Sequence, residues 1–324
     1  MERDPQDPSR PRDPPVIQIE RLTKRLRNGI TAVDGLDLEV GQGQVVALVG
    51  PNGSGKTITL RILLGLVRPT SGRALLFGHE VRPGAAVLGR VGALVDGPGF
   101  VPHLSGRRNL DLACRQLRQT GRPADLDGAV EMTGLGDAID RNYASYSHGM
   151  RYRLAMAQAL LGAPDLLLLD EPTTGMDPAQ ILEVHDAIAA CARAGATVVL
   201  SSHQMSEIEL VCTHAAILHS GRLAGAGSIA ELVGRLPRVF LEVDDRVGAI
   251  AALRAVPGIS RVTAAGPVSV AVEGDALEPV ELFDAVEKSG IRVSGFRTGN
   301  FEDSYLELFA EEPGGPSVSG STSP

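Results

Sequence analysis

Gly50-Pro51-Asn52-Gly53-Ser54-Gly55-Lys56-Thr57 lies between the apolar run Val45-Val46-Ala47-Leu48-Val49 and the helical pattern Ile58-Thr59-Leu60-Arg61-Ile62-Leu63-Leu64. A strand that delivers a glycine-rich turn to a helix N-terminus aims several backbone N–H groups at one place, and the helix dipole favours an anion there. This is a P-loop in the context that gives the motif its meaning. The glycines let the backbone close on phosphate, Lys56 reaches the terminal phosphates as a point charge, and the Thr57 hydroxyl suits Mg2+. A nucleoside triphosphate is the expected ligand.

The 324 residues are enough for two domains, each with its own core. A net charge of −8 and the lack of a long Lys/Arg block argue against nucleic acid as the main partner, since neutralising phosphates needs a basic surface. Cys114, Cys191 and Cys212 are far apart and show no metal-ligand spacing, so they read as small buried or indifferent residues in a reducing compartment. No window approaches the roughly 20 apolar residues of a membrane helix. Even Leu160 to Leu169 is broken by Pro164 and Asp165. Residues 1–15, rich in Pro, Asp and Arg without an apolar signal-peptide core, are expected to be a disordered tail.

Ahead of the P-loop, Val16 to Glu20 and Leu36 to Val40 alternate like half-exposed strands, with Asn28-Gly29 as a turn signal, and predict an antiparallel sheet. After its helix, Pro69-Thr70-Ser71-Gly72 reads as a turn before a short strand at Ala74 to Phe77. The run Val91 to Val95 then leads into Asp96-Gly97-Pro98-Gly99-Phe100, too rich in Gly and Pro for a helix. From about Ser105 to Thr133 the period turns helical, broken at Gly121-Arg122-Pro123, which predicts a helical insertion. It ends at Ser145-Tyr146-Ser147-His148-Gly149-Met150, followed by a helix expected over Tyr152 to Leu161.

Leu166-Leu167-Leu168-Leu169-Asp170-Glu171 suits a parallel strand buried on both faces and closed by two carboxylates. In a P-loop protein one such acid binds Mg2+ and the second polarises the attacking water. Solvated strand-end acids would explain the pair alone, but not its coexistence with Lys56 and Thr57. Pro172-Thr173-Thr174-Gly175-Met176-Asp177-Pro178 is a turn, with Pro178 suited to the first position of a helix over Ala179 to Ala194. Thr197 to Ser201 is the next buried strand and ends at Ser202-His203. A strand-end histidine is usually structural, but His203 shares its rim with Asp170 and Glu171. Ala215 to Leu218 with Gly221 to Leu223 suggests one further hairpin.

Composition shifts after Leu236-Pro237. Val239–Val243, Val247–Ala255, Val262–Thr263, Val268–Val272, Pro279–Ser289 and Ile291–Val293 spell β-α-β-β-α-β, the order of a ferredoxin-like α+β sandwich. An amphipathic helix over Phe301 to Phe309 precedes a Gly/Pro/Ser tail. The expected organisation is therefore a tail at 1–15, a nucleotide-binding domain at 16–236 with its helical part at about 98–150, an accessory domain at 237–310 and a tail at 311–324.

Taken in order, these motifs resemble the nucleotide-binding subunit of an ATP-binding cassette (ABC) transporter over about Val16 to Leu232. The P-loop is followed by Asp96 at the glutamine-loop position, Tyr146 to Met150 at the family signature, Asp170-Glu171 at the magnesium strand, Gly175-Met176-Asp177 at the D-loop and His203 at the switch histidine. The C-terminal module, ending in Phe301 to Leu308, is similar to ATPases serving ABC-2-type exporters. Gly92 to Phe100 looks most like the bacitracin and lantibiotic-immunity branch, where an acid replaces the glutamine.

The resemblance implies an α/β fold, with a P-loop ABC ATPase core, an antiparallel β subdomain, the helical insertion and the accessory domain. It also implies ATP and Mg2+. ATP would be held by Gly50 to Thr57, Thr59, Leu26, Ser147, Gly149 and Asp177, the metal by Thr57, Asp170 and Asp96, and hydrolysis would rest on Glu171, His203 and Lys56. Ser147 would act on the nucleotide of a second subunit, so a homodimer is expected, with a heterodimer as alternative. The partner would be an integral-membrane ABC-2-type permease at the cytoplasmic face of a bacterial membrane. Phe100, Val101 and Leu104 would either receive its cytoplasmic helix or pack the insertion. Drug or peptide-antibiotic export is the implied cargo class.

Three positions depart from the family pattern. Leu26 stands where an aromatic usually stacks on adenine, His148 and Met150 replace the signature's glycine and glutamine, and Asp96 is shorter than glutamine and charged. The competing class is a soluble ABC ATPase acting as a regulatory or nucleic-acid- or ribosome-associated switch. The genome-maintenance type carries a very long coiled coil between its nucleotide motifs, and the translation-factor type usually carries two cassettes. Neither feature is seen here.

Overall fold

The computed structural model describes residues 14–97, 99–119, 121–233, 238–274 and 278–310. The tail expected at 311–324, nearly all of that at 1–15, Pro98 and the Leu236-Pro237 junction lie outside them. The chain divides into two compact units, one ending at Ala226 and one beginning at Gly227.

The first unit runs β1 (Ile17–Arg25), β2 (Thr31–Val40), β3 (Val45–Val49), α1 (Lys56–Leu63), β4 (Ser71–Leu76), β5 (His79–Glu80), β6 (Val91–Leu94), α2 (Gly106–Gln119), α3 (Leu126–Met132) and α4 (His148–Leu160). It continues with β7 (Leu166–Asp170), α5 (Pro178–Arg193), β8 (Thr197–Ser202), α6 (Met205–Val211), β9 (His214–His219) and β10 (Arg222–Ser228), whose last two residues begin the second unit. As the alternating pattern predicts, β1 and β2 pair antiparallel, in a four-stranded sheet of order β2-β1-β4-β5. Its apolar face, including Ile17, Ile19, Leu36 and Leu38, packs with Leu60 and Leu63 of α1 and with Leu48, Leu166 and Leu168.

The second sheet has the order β10-β9-β3-β8-β7-β6, and β9, β3, β8, β7 and β6 run parallel. β3 and the first four residues of β7 are buried throughout, as uninterrupted apolar runs require in a sheet covered on both faces. The register decides where the chemistry sits. Val49 pairs with Ser202 and Asp170 with Ser201, so the P-loop after β3, the acids ending β7 and the serines ending β8 leave the sheet at one rim. In open parallel sheets, ligands bind beyond the carboxyl ends of the strands.

Between β6 and β7 the chain is helical, as expected, but α4 begins four residues earlier than the apolar period suggests. Ser147 is its N-cap, accepting from the Met150 N–H at 3.3 Å. A serine cap overrides the poor helix propensity of the glycine two positions on. α5 starts with Pro178 at its first turn, as predicted, under an Asp177 cap that accepts from the Gln180 N–H.

The second unit contains α7 (Ile229–Val233), β11 (Arg238–Val243), α8 (Arg246–Leu253), β12 (Ile259–Ala264), β13 (Ser269–Gly274), α9 (Pro279–Lys288), β14 (Val293–Thr298) and α10 (Phe301–Ala310). Its four-stranded sheet has the order β12-β13-β11-β14, and all the pairings are antiparallel. Val239, Leu241, Val270 and Val272 form a core with Leu253 of α8 and Leu282 and Val286 of α9. On β14, Arg297 lies 3.8 Å over the Phe240 ring and forks onto both Asp303 oxygens, which docks the start of α10.

Candidate functional site

The P-loop conformation depends on glycine at two points. A Cβ on Gly50 would lie 2.2 Å from the Leu218 carbonyl, and one on Gly55 would lie 2.6 Å from the Ala32 carbonyl; both have positive φ. Gly55 is the N-cap of α1 and offers no side-chain cap, so the first N–H groups of the helix stay open to a ligand. The buried Ser54 hydroxyl likewise has no hydrogen-bond partner among the described residues. Lys56 is only 5% exposed. Its Nζ donates to the Gly50 carbonyl at 2.7 Å and the Pro51 carbonyl at 3.3 Å, which folds the side chain back over the loop.

Asp170 and Glu171 point different ways. The Thr57 hydroxyl donates to Asp170 Oδ1 at 3.0 Å and the Ser201 hydroxyl donates to the same oxygen at 2.7 Å. Glu171 has φ +48, a left-handed conformation unusual outside glycine, and its N–H donates to Ser201 Oγ at 2.8 Å. That turn swings its carboxylate between Lys56 and His203. Glu171 Oε1 lies 3.7 Å from Lys56 Nζ, and Oε2 accepts from His203 Nδ1 at 2.7 Å.

A cradle of open helix N–H groups with a lysine at its edge suits a polyphosphate. Thr57 and Asp170 are hard oxygen donors already in contact, and they would hold Mg2+ beside a bound phosphate. Among the described residues no group of three or more His, Cys, Asp or Glu is arranged to hold a metal by itself. A Mg2+ here would supply charge neutralisation for phosphate oxygens.

The other predicted residues lie apart from this centre or are differently engaged. Thr59 is fully buried and its hydroxyl donates to the Gly55 carbonyl, bracing the loop from within. Leu26 is half-buried in the β1–β2 turn, its N–H donating to the Ile30 carbonyl. Ser147 and Asp177 cap α4 and α5. Gly149 is buried, and a Cβ there would meet the Gln180 side-chain nitrogen at 2.8 Å, so the signature helix touches α5 directly. Asp96 is ion-paired with Arg61. Phe100 packs edge-on to Tyr143, and the Val101 N–H donates to Asn109, so both brace the insertion.

The motif pattern passes over Ser201, although a serine closing a buried parallel strand is a usable signal. Glu207 is a second omission. It is buried in α6 and accepts from the Thr173 hydroxyl at 2.6 Å, tying the helix after His203 to the loop after Glu171. All three cysteines are free and buried, as expected. Burial pushes the Cys191 thiol up to about 11 and Cys212 up to about 12.

A P-loop, a hydroxyl–carboxylate pair and a strand-end glutamate and histidine on one rim define a P-loop nucleoside triphosphatase. The ABC transporter family profile matches residues 33–174. The bacitracin transport ATP-binding protein BcrA of Bacillus licheniformis is 39% identical over 64% of this chain and 68% of its own. The daunorubicin/doxorubicin resistance ATP-binding protein DrrA of Streptomyces peucetius is 33% identical over 94% of each chain. Among solved structures, cbiO1 of Clostridium perfringens, part of the ABC transporter complex cbiONQ, superposes with TM-score 0.60 at 24% identity, over 68% of this chain and 92% of that one. A dimeric post-hydrolysis cassette bound to ADP and Pi, MJ0796, gives 0.58 at 20%, over 65% and 98%. The chain belongs to the ABC transporter ATP-binding proteins, and it is the ATP-binding and ATP-hydrolysing subunit of a transporter.

Proposed function

We propose that the protein energises an ABC-2-type exporter of drugs or peptide antibiotics, working with a separate membrane permease. The observation that carries the catalytic part is the convergence of Lys56, Glu171 and His203 beside the Thr57–Asp170 pair. Lys56 binds the terminal phosphates. Thr57 and Asp170 hold Mg2+. Glu171 orients or deprotonates the attacking water, and His203 stabilises charge developing on the γ-phosphate. The bond from His203 to Glu171 would be exchanged for phosphate and water contacts once nucleotide enters.

Ser147 and Gly149 act in trans, so the working unit is a homodimer with two complete sites. Exposure of Ser147 at the start of α4 supports this reading. The cargo class is supported by the names of BcrA and DrrA alone. No helix among the described residues is long and apolar enough to cross a membrane, which is consistent with a subunit held at the cytoplasmic face through its permease. The domain reading remains a cassette over 16–236 and an accessory domain over 237–310. For the latter, the strand order β12-β13-β11-β14 with α8 and α9 in the crossovers supports a ferredoxin-like sandwich.

Full-length protein carrying Glu171→Gln, purified with ATP from detergent-solubilised membranes, tests the transport reading. A multi-span protein in stoichiometric amount is expected. Recovery only from the soluble fraction, with ribosomes or nothing attached, overturns the exporter and leaves the ATPase.

A further inference from the structure

At the end of β6 the backbone takes two successive left-handed residues, Asp96 at φ +65 and Gly97 at φ +76. Aspartate tolerates this region better than most side chains. The turn directs the Asp96 carboxylate onto Arg61, in the last turn of α1. Arg61 Nε lies 3.2 Å from Oδ1 and 3.0 Å from Oδ2, and its Nη2 also donates to Oδ1. Such a planar, charge-assisted fork fixes orientation as well as distance. α1 opens with Lys56 and Thr57, so one helix carries both the phosphate-binding residues and the partner of Asp96.

Two further facts bear on what the fork does. Both side chains are partly exposed, 34% for Arg61 and 49% for Asp96, so the pair is too well solvated to hold the fold. The hydrogen bond that Arg61 donates to Asp96 holds its guanidinium more firmly protonated, and the Asp170 charge adds a smaller pull in the same direction. Arg61 therefore stands within electrostatic reach of both the loop acid and the acid bonded to Thr57. A glutamine at position 96 would offer Arg61 an acceptor without the negative charge.

We infer that Arg61 is a positioning residue for the ATPase site: it binds Asp96, ties the turn after β6 to the nucleotide helix, and keeps the Asp96 carboxylate off the metal. This rests on the ATPase reading above. It replaces the metal contact expected for Asp96 with an ion pair, and it makes Arg61 and Asp96 a matched set. Losing Arg61 alone leaves the Asp96 carboxylate without its cation, two residues past Leu94, which pairs with Leu169 next to Asp170, whereas losing both removes the change.

The test uses the full chain and two readouts. By NMR without nucleotide, the Arg61 Nε–H of the wild type exchanges slowly, and Asp96→Asn speeds it by about tenfold, the equivalent of one charge-assisted bond. By Mn2+ titration in the presence of ATP, Asp96→Asn stays within about twofold of wild type, Arg61→Gln shifts affinity by about threefold or more, and the double variant returns to within about twofold. Weakening of Mn2+ by about tenfold or more in Asp96→Asn alone shows that the carboxylate serves the metal, directly or through a ligand, and overturns the proposal. So does unchanged Nε–H exchange. Failure of the wild type to bind Mn2+ and ATP at all would instead sink the ATPase reading, while the exchange measurement still reports on the pair.

Discussion

Glu171 accepts a 2.7 Å hydrogen bond from His203 Nδ1 while its other oxygen faces Lys56 Nζ at 3.7 Å. The three residues come from the ends of β7 and β8 and the start of α1, and the parallel register brings those ends to one rim. Under the proposed function, Lys56 and His203 would exchange this carboxylate for phosphate, which would link nucleotide binding to the release of Glu171 toward water.

Lys56→Ala removes the cation and the bonds to the Gly50 and Pro51 carbonyls together. Wild-type protein at ATP concentrations about 100 times its dissociation constant should gain about 2.7 kcal/mol of stability. The corresponding rise in melting temperature should vanish in the variant, as scanning calorimetry with and without MgATP would record.

Ser201→Ala tests a residue that touches no nucleotide in this account. Its hydroxyl donates to Asp170 and accepts from the Glu171 N–H. Leaving the Glu171 N–H unsatisfied should cost about 1–3 kcal/mol. Urea denaturation should show that loss, and steady-state kinetics should show kcat falling more than ATP affinity does.

His185 gives the stability a pH dependence. Burial holds its imidazole below the ordinary value, opposed by the nearby Glu207 and Asp186 charges. The unfolded chain takes up a proton near about pH 6.5, before the folded chain does, so this contribution is present above that pH and is lost as the pH falls. His185→Gln should flatten the slope of unfolding free energy between about pH 7 and pH 5.

Leu26→Tyr restores an aromatic face in the β1–β2 turn. Offset stacking on a purine should tighten ATP binding by about three- to tenfold, and isothermal calorimetry that shows an unchanged dissociation constant would remove Leu26 from the site.

Much of this centre is legible in the order of residues. The Gly50–Thr57 stretch carries its own geometry, since only glycine fits where the Leu218 and Ala32 carbonyls approach. The Leu166–Leu169 run could hardly be other than a doubly covered strand. What stays hidden depends on side-chain choice between several reachable partners. Asp96 can face a metal or an arginine, and only the left-handed backbone shows that it meets Arg61. Ser147 is legible as a phosphate residue through the family signature, yet its capping of α4, and with it the true start of that helix, is obscured by Gly149. Ser201 and Glu207 act through contacts about 30 residues away in sequence, for which local periodicity carries no signal.

Single-turnover ATP hydrolysis by Glu171→Gln, measured beside ATP binding, tests the centre most directly. The predicted result is an ATP dissociation constant close to wild type with hydrolysis slowed by about 100-fold or more, the usual weight of a general base. Hydrolysis at the wild-type rate in that variant would contradict the assignment of Glu171 and, with it, the account of how this site works.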